Sequence, residues 1–465
     1  MSSDFAFKTI RELSSGLSVK EFSPVELLDD VIRRIEELEP KLNMFAHLDF
    51  DGARKQAEAS QARLMRGEKL GELDGIPTSV KDLIAVAGMP QRFGSKSTPD
   101  APSPVDAPSV ERLRAAGAVI LGKSTTSEFG CKAVGDSPLT GITRNPWNTE
   151  MTPGGSSCGA AAMVAAGLVP YALGTDGGGS VRIPAALTGL FGIKPHFGRV
   201  AVFPTSATPT LAHVGPLART AEDASIVLSV IAAYDKRDPF TVKGPQPDFR
   251  GATRTYRKLR IAWSPTLGYG RVDREVAELT EQAVQRIAGL GAEVELVEQV
   301  MDDPIELWTA EFYAGVGTKL KDTILNRPEL LDPSVLEVLQ LALEQEMGAY
   351  YESVFARYAF REKIRQFFER YDLLLTPTVP VTAFEAGLDT PPGYEDKNIV
   401  SWATFTYPFN LTGNPAASIP VGLSSEGLPV GLQAVASAHD DISLLSVGGA
   451  YERATGHYKR AYPPE

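Results

Sequence analysis

A glycine-rich segment at residues 151–198 contains the side chains of this sequence that are best placed for chemistry. Three consecutive glycines, Gly177 to Gly179, stand directly before Ser180. A strand-like run (169–173) leads into them, and a helical pattern (181–190) follows. A strand–loop–helix turn of this kind points successive backbone N–H groups at one place, with the positive end of a helix behind them. The segment therefore predicts a site that stabilises negative charge.

Such a turn can bind a phosphate, form an oxyanion hole, or simply let a helix pack closely on a strand. A phosphate-binding loop requires a lysine before its serine, and no lysine precedes Ser180. The dinucleotide pattern also fails, because the glycines that follow Gly174 have the wrong spacing. In an oxyanion hole, one donor contributes about 2.7–4 kcal/mol to transition-state stabilisation. On this segment alone, an oxyanion hole and a purely structural turn both remain open.

A serine nucleophile needs a base, and we considered histidine and lysine. The Gly-x-Ser-x-Gly pattern is absent around Ser180, and none of the five histidines lies in a recognisable triad motif. The histidines are His47, His196, His213, His439 and His457. Lys81 differs from most lysines because it directly follows the apolar run 76–80, and unpaired lysine is rarely buried. Burial would lower the pKa of such a lysine and allow it to act as the base.

The rest of the sequence predicts the elements that hold these residues. The first seventy residues are predicted to be helical. Within them, a capping box at Ser23–Glu26 and an apolar stripe predict a helix that stops at Pro40. From about residue 71, short apolar runs such as 118–121 and 259–263 alternate with helical stretches. We therefore predict an α/β fold with a large mixed, mostly parallel sheet covered by helices on both faces.

Composition excludes several classes of protein. The 465 residues are 43% hydrophobic and carry a net charge of −12, so nucleic acid and anionic membrane surfaces are not expected partners. No apolar run reaches the roughly 18 residues of a membrane helix, and the start lacks the features of a signal peptide. Cys131 and Cys158 have no metal-ligand spacing around them. We expect a cytoplasmic protein without a metal or cofactor.

Several motifs in a fixed order connect Lys81 with the two serine-containing segments. Lys81 lies in Gly-Ile-Pro-Thr-Ser-Val-Lys-Asp, Ser156 follows two glycines, and Ser180 begins Ser-Val-Arg-Ile-Pro. The chain resembles the amidase signature family of Ser-Ser-Lys hydrolases, whose two serines are also 24 residues apart. Further matching segments lie at residues 144–147, 192–195, 215–220, 374–377, 410–413 and 427–433. The resemblance runs from roughly residue 5 to 455 and implies a single amidase domain over residues 1–465, with its core at about 70–200.

The resemblance implies a role for each of these residues. Ser180 corresponds to the nucleophile and Lys81 to the base. Ser156 corresponds to a serine that relays a proton between them and is commonly held by a cis peptide bond. The oxyanion hole would consist of the backbone N–H groups of Gly177, Gly178, Gly179 and Ser180. The residues expected to fix the loop are Ser157, Asp176 and Arg182.

Two positions depart from the family pattern. Cys158 stands where glycine or serine is usual, and we interpret it as a packing residue. Gly177 stands where the family commonly has a side chain, so we expect a looser loop or room for a bulkier substrate.

The resemblance implies hydrolysis of a carboxylic amide C–N bond through an acyl-enzyme on Ser180, without metal or cofactor. The same site could act on carbamates or esters. A further alternative is the amidase component of a glutamine-dependent tRNA amidotransferase, but such components typically have glutamine where Ile183 stands here. A catalytically dead binding protein is disfavoured because all three catalytic positions are filled. The expected partner is a small amide or carbamate, and a homodimer is left open.

The substrate pocket is assigned to a helical segment at about residues 301–370, which is rich in aromatic residues. In the family, the region beyond the core supplies much of this pocket. Most of the aromatic side chains are expected to be ordinary core residues. Trp308 and Phe312 are predicted to reach the substrate, which favours an aryl or otherwise apolar compound.

Overall fold

One eleven-stranded sheet organises the molecule in a computed structural model that describes residues 5–457. The strands are β1 (Phe45–Leu48), β2 (Pro77–Lys81), β3 (Val119–Ser124), β4 (Asp136–Ser137), β5 (Gly141–Ile142), β6 (Tyr171–Asp176), β7 (Phe191–Lys194), β8 (His213–Ala218), β9 (Arg260–Trp263), β10 (Glu293–Leu296), β11 (Leu373–Pro377), β12 (Ala416–Leu423) and β13 (Pro429–Ala436). The sheet order is β1-β3-β2-β6-β8-β7-β12-β13-β11-β9-β10, and β4 and β5 form a separate two-stranded sheet.

Helices surround this sheet. They are α1 (Ile10–Ser18), α2 (Pro24–Leu42), α3 (Phe50–Arg66), α4 (Pro108–Ala115), α5 (Cys158–Ala165), α6 (Arg182–Thr188), α7 (Ala221–Ile231), α8 (Arg274–Gly289), α9 (Ile305–Asn326), α10 (Pro333–Leu343), α11 (Met347–Arg370), α12 (Pro408–Thr412) and α13 (Asp441–Thr455). No helix in the described part of the chain is long and apolar enough to cross a membrane.

The sheet is mixed, as predicted, but antiparallel neighbours outnumber parallel ones. Six of its ten neighbouring pairs are antiparallel. The four parallel pairs involve only β2, β3, β6 and the β9–β10–β11 group. Parallel strands need a crossover of a dozen or more residues, whereas β12 and β13 are joined by residues 424–428 alone. Short connections in the second half of the chain therefore make "mostly parallel" incorrect.

Side chains that alternate along β3 show that both faces of the sheet are covered. Ile120 belongs to a core cluster shared with α1, α4, α7, α8 and α13. Its neighbours Val119 and Leu121 point the other way, into a cluster shared with α2, α3 and α5. Successive strand residues face opposite sides of a sheet, so the two clusters are its two buried faces. Helices on both faces are thus confirmed.

Two details of the N-terminal region differ from the prediction. The capping box of α2 is present, because Ser23 and Glu26 each accept a backbone N–H of the other. The helix does not stop at Pro40 but continues to Leu42, since a proline this close to the end sacrifices only one hydrogen bond. Residues 45–48 form strand β1 rather than helix, because they pair with the edge of β3.

Candidate active site

The site begins where two parallel strands end side by side. Lys81 is the last residue of β2, and Asp176 is the last residue of β6. The two strands are parallel neighbours, with Val80 opposite Leu173. Because the carboxyl ends of parallel strands meet at the same edge, these side chains emerge close together. The sheet therefore gathers Lys81 and the glycine turn from positions almost one hundred residues apart.

Three hydroxyl groups surround the Lys81 ammonium group. Its Nζ atom lies 2.7 Å from Ser156 Oγ, 2.9 Å from Ser157 Oγ and 2.9 Å from Thr175 Oγ1. The side chain is fully buried, and no carboxylate among the described residues lies within ion-pair distance of Nζ. The lysine is thus fixed in direction by neutral groups, which hydrogen-bond it without holding it charged.

This environment changes the acidity of Lys81. Burial lowers the pKa of the side chain from 10.5 to about 7, although Cys158 and Asp176 act weakly in the opposite direction. Desolvation disfavours an ammonium ion, so the neutral amine becomes available near neutral pH. A neutral amine hydrogen-bonded to a hydroxyl can accept its proton. The geometry and the pKa therefore both suit proton transfer between Lys81 and Ser156.

Ser156 and Ser157 lie just before helix α5. The peptide bond between Gly155 and Ser156 is cis, as the resemblance implied. The Ser157 N–H donates to the carbonyl of Ser180 at 3.2 Å, and Ser157 Oγ accepts the N–H of Thr175 at 3.3 Å. Ser157 therefore ties the glycine turn and the end of β6 to the segment that presents Ser156 to the lysine.

The glycine turn leaves several backbone donors without a protein acceptor. Within the described residues, the N–H groups of Gly177, Gly178 and Ser180 have no hydrogen-bond partner. The N–H of Gly179 differs, because it donates to Asp176 Oδ1 at 2.8 Å. Gly179 therefore shapes the turn in this structure, and three of the four predicted donors remain for an oxyanion. An unpaired N–H beside a cavity is the arrangement that developing negative charge requires.

A buried ion pair holds the turn in place. Arg182 Nε and Nη2 donate to the two carboxylate oxygens of Asp176, each at 2.9 Å, and both side chains are completely buried. The same carboxylate accepts the N–H of Gly179 and, at 3.2 Å, that of Val181. Burial alone would raise the pKa of Asp176, but Arg182 holds it well below its usual value. Asp176 is therefore a fixed anion that organises the backbone around Ser180.

Arg182 also connects the turn to the C-terminal part of the chain. Its guanidinium donates to Thr406 O at 2.9 Å, Gln433 Oε1 at 2.7 Å and Asn410 Oδ1 at 2.7 Å. All five N–H groups of the arginine can thus be engaged, which favours burial of this charge. The predicted positioning residues Ser157, Asp176 and Arg182 are all found around the turn.

Ser156 and Ser180 both line one cavity of about 390 Å³. The Ser180 side chain is half-buried and has no hydrogen-bond partner among the described residues, so its hydroxyl is available to a substrate. The other walls are mostly apolar. They include Leu83, Ile84, Phe93, Phe129, Phe203, Pro204, Phe312, Val316 and Leu320. The cavity therefore suits an apolar molecule with one polar group near Ser180.

The two predicted pocket aromatics have different positions. Phe312 lines the cavity, and its ring fills the volume that a side chain at Gly177 would need. Trp308 does not line it; the indole stacks on Phe312 at 4.4 Å and donates to the Gly177 carbonyl at 2.8 Å. Gly177 thus leaves room for Phe312, and the tryptophan supports the turn from behind. We find neither a looser turn nor extra space at this position.

Two further interpretations can be compared with the structure. Cys158 is buried, is absent from the cavity walls, and burial raises the pKa of its thiol, which fits a packing role. The expectation that most aromatic residues of 301–370 belong to the core is wrong for several of them. Tyr351, Phe355 and Tyr358 of α11 are exposed.

Sequence reasoning missed three features of the site. Thr175, the third hydroxyl around Lys81, was signalled only by its place beside Asp176. Gly130 lies so close that a Cβ atom there would be 3.2 Å from Ser156 Oγ. Residues 201–208 form one wall of the cavity, and nothing in their composition distinguishes them. These contacts arise from chain segments that are distant in sequence, so no local pattern reports them.

Comparisons with known proteins agree with this architecture. The Amidase family model matches residues 26–445. The chain is 37% identical to the amidase component of the glutamyl-tRNA(Gln) amidotransferase of Methylococcus capsulatus, over 97% of this chain and 98% of that protein. It is 34% identical to an acylamidase of Rhodococcus erythropolis, over 95% of this chain and 94% of that protein. A bacterial aryl acylamidase of the amidase signature family superposes with a TM-score of 0.92 at 29% identity, with both chains fully covered.

The mixed sheet, the buried lysine beside two serines and the unpaired amides define an amide-hydrolysing enzyme. The chain belongs to the Amidase family, that is, to the amidase signature enzymes.

Proposed function

We propose that this enzyme hydrolyses apolar, preferably aryl-substituted, carboxylic amides through an acyl-enzyme on Ser180. The observation that carries the proposal is the 2.7 Å contact between Lys81 Nζ and Ser156 Oγ, made by a buried lysine whose pKa is about 7. Ser156 and Ser180 line the same cavity, which supports a proton relay between them.

The reaction follows from these positions. Neutral Lys81 accepts the proton of Ser156, and Ser156 accepts the proton of Ser180 as Ser180 Oγ attacks the carbonyl carbon. The N–H groups of Gly177, Gly178 and Ser180 stabilise the resulting oxyanion. The C–N bond then breaks, and the proton returns from Lys81 through Ser156 to the leaving amine. Water hydrolyses the Ser180 ester by the same relay and releases the carboxylic acid.

The character of the cavity supports an apolar substrate. Its walls contain the stacked pair Phe93 and Phe129, whose ring centroids lie 5.7 Å apart, together with Phe203 and Phe312. Aromatic walls bury a flat apolar group favourably and orient it by ring packing. The same site could also accept carbamates or esters, since both are attacked at a carbonyl carbon. We propose amides first because C–N hydrolysis needs the amine protonation that Lys81 can supply.

A second candidate function is that of the amidase component of a tRNA-dependent amidotransferase, which uses glutamine. The 37% identity to such a component is the observation in its favour. Against it, no aspartate or glutamate lines the cavity in the described part of the chain, so the ammonium group of glutamine would lack an anionic partner. We therefore propose a stand-alone amidase.

The test is a panel of purified substrates: an aryl amide, a short aliphatic amide, a carbamate, an ester and glutamine. We expect the aryl amide to give the highest kcat/KM among the amides and glutamine to be turned over least. Ser180→Ala is the control and should abolish every activity. Efficient release of ammonia from glutamine, with no turnover of the aryl amide, would overturn the proposal in favour of the amidotransferase.

A further inference from the structure

One face of helix α9 forms a long side of the active-site cavity. Phe312, Val316, Lys319 and Leu320 all line it, at spacings of four, seven and eight residues. These spacings put the four side chains on one face of the helix. Phe312 packs against Gly177, and Lys319 lies seven residues further on, which is about 10 Å at 1.5 Å per residue. The cavity therefore extends about 10 Å from the glycine turn to the Lys319 ammonium group.

The adjacent face of α9 fixes the position of Lys319. At Gly315 the helix approaches residues 201–208 so closely that a Cβ atom would lie 2.3 Å from the carbonyl of Ala207. One turn away, Lys319 Nζ donates to the carbonyl of Thr205 at 3.0 Å. At the other end, Glu311 accepts a hydrogen bond from Thr210. The helix and the opposite wall are thus joined along their length, and Lys319 lies at the outer end.

Lys319 is the charged side chain of this cavity. Within the described residues, no other lysine, arginine or carboxylate lines it, and burial keeps the pKa of His213 well below its usual value, so that imidazole is neutral. No carboxylate of the described chain lies within ion-pair distance of Lys319, although the chain carries a net charge of −12. Lys319 Nζ therefore has a neutral carbonyl as its partner at the edge of an apolar wall, and it retains N–H donors for an anion.

We propose that Lys319 binds an anionic group of the substrate, so that the preferred amides carry a carboxylate about 10 Å from the scissile bond. This inference rests on the proposed function, since it concerns the other end of the same cavity. An ammonium group at the mouth attracts a carboxylate, and the apolar walls between favour a hydrocarbon or aryl spacer. Lys319 would thus select substrates by both length and charge.

The experiment compares matched substrate series of increasing length. One series consists of N-phenyl monoamides of linear dicarboxylic acids, and the other of N-phenyl amides of the fatty acids with the same number of carbons. A third series, N-benzoyl derivatives of linear amino acids, puts the carboxylate on the amine side of the scissile bond. We expect one of the carboxylate series to show a length at which KM is lowest relative to the neutral compound.

The variants Lys319→Met and Lys319→Glu test the residue itself. The readout is the ratio of KM for the neutral compound to KM for the carboxylate compound at the best length. We expect Lys319→Met to lower this ratio about threefold to tenfold and Lys319→Glu to lower it further, as for a partly exposed ion pair. Lys319→Arg should preserve it, and so should Lys321→Met, which removes an exposed lysine that does not line the cavity. The preference of the wild-type enzyme should also weaken as salt is added.

Binding measurements separate this proposal from the function on which it rests. Calorimetry on Ser180→Ala, with and without Lys319→Met, gives the Kd of each compound without turnover. If the wild-type enzyme hydrolyses none of the amides yet Ser180→Ala binds carboxylates in a Lys319-dependent way, only the proposed reaction is wrong. If Lys319→Met weakens neutral and anionic compounds equally, the lysine serves only to hold Thr205, and the inference is overturned. The absence of a carboxylate preference at every length would overturn it as well.

Discussion

The ring of Phe312 occupies the place of a side chain at residue 177. A Cβ atom on Gly177 would lie 2.8 Å from Phe312 Cε2, a distance shorter than side-chain packing allows. Gly177 does not have a positive φ, so the conflict concerns space rather than backbone conformation. Phe312 and Gly177 therefore form a matched pair that sets the shape of the oxyanion turn.

This relationship predicts that Gly177→Ala lowers kcat/KM about tenfold to one hundredfold, because the turn must shift away from the ring. In a Phe312→Leu background the same change should cost much less. The four combinations of the two positions, assayed for kcat/KM on one aryl amide, measure the coupling directly. Effects that simply add within about 0.3–0.5 kcal/mol would show that the ring and the turn are independent.

The pKa of Lys81 predicts how activity depends on pH. Below about pH 7 the folded enzyme carries an ammonium ion that cannot accept a proton, so kcat/KM should rise through about pH 7 and then level off. Lys81→Arg keeps the charge but cannot supply a neutral base, so it should lose activity as severely as Lys81→Ala. An active Lys81→Arg enzyme with the wild-type pH profile would contradict the role of Lys81 as a base.

The same lysine predicts a pH-dependent effect on stability. Its pKa is about 7 in the folded enzyme and 10.5 when exposed, so between these values the unfolded chain binds more protons. Stability due to this group therefore falls as the pH decreases from 10.5 to 7, and it stays low below 7. Lys81→Met should raise Tm, by more at pH 6.5 than at pH 10. An increase that is equal at both values would show that packing, not protonation, is responsible.

The identity of the nucleophile can be tested by covalent labelling. A fluorophosphonate should add to the wild-type enzyme once and fail to add to Ser180→Ala, as measured by intact mass. Cys158→Ala should label normally, because Cys158 is buried away from the cavity. Equal labelling of Ser180→Ala, or peptide mapping of the adduct to another residue, would refute the assignment.

The buried pair of Asp176 and Arg182 predicts an asymmetric response to substitution. Arg182→Met leaves a buried carboxylate without its cation and should reduce the free energy of unfolding by about 3–5 kcal/mol, measured by urea denaturation. Adding Asp176→Asn should recover part of this loss, since the amide removes the charge and its oxygen still accepts a backbone N–H. If the double variant is no more stable than Arg182→Met, the uncompensated charge is not the cause.

Much of the site was predictable because it depends on local patterns. The apolar run before Lys81 and the glycines before Ser180 each report a strand end or a turn, and the structure contains both. The motif order added the connection between them. The helical character of 301–370 also followed from sequence, as α9, α10 and α11 show.

What could not be predicted depends on contacts between distant segments. The Gly179 N–H is occupied by Asp176 because Arg182 orients that carboxylate, and Arg182 is in turn oriented by residues 406–433. Trp308 and Phe312 lie one helical turn apart on α9, yet only the packing of that helix on the glycine turn decides which of them reaches the cavity. Strand β1 exists because the edge of β3 offers it a partner.

The partners of Arg182 also impose an order on the birth of the enzyme at the ribosome. Asn410 and Gln433 follow Arg182 by 228 and 251 residues, and without them the guanidinium would be buried with unused N–H groups. At translation rates of about 5–20 residues per second, Gln433 emerges roughly 10–50 s after Arg182. The growing chain can pair β2 with β6 early, but the turn before Ser180 acquires its final anchors only near the end of synthesis. The enzyme therefore becomes active only after nearly all of its chain has been made.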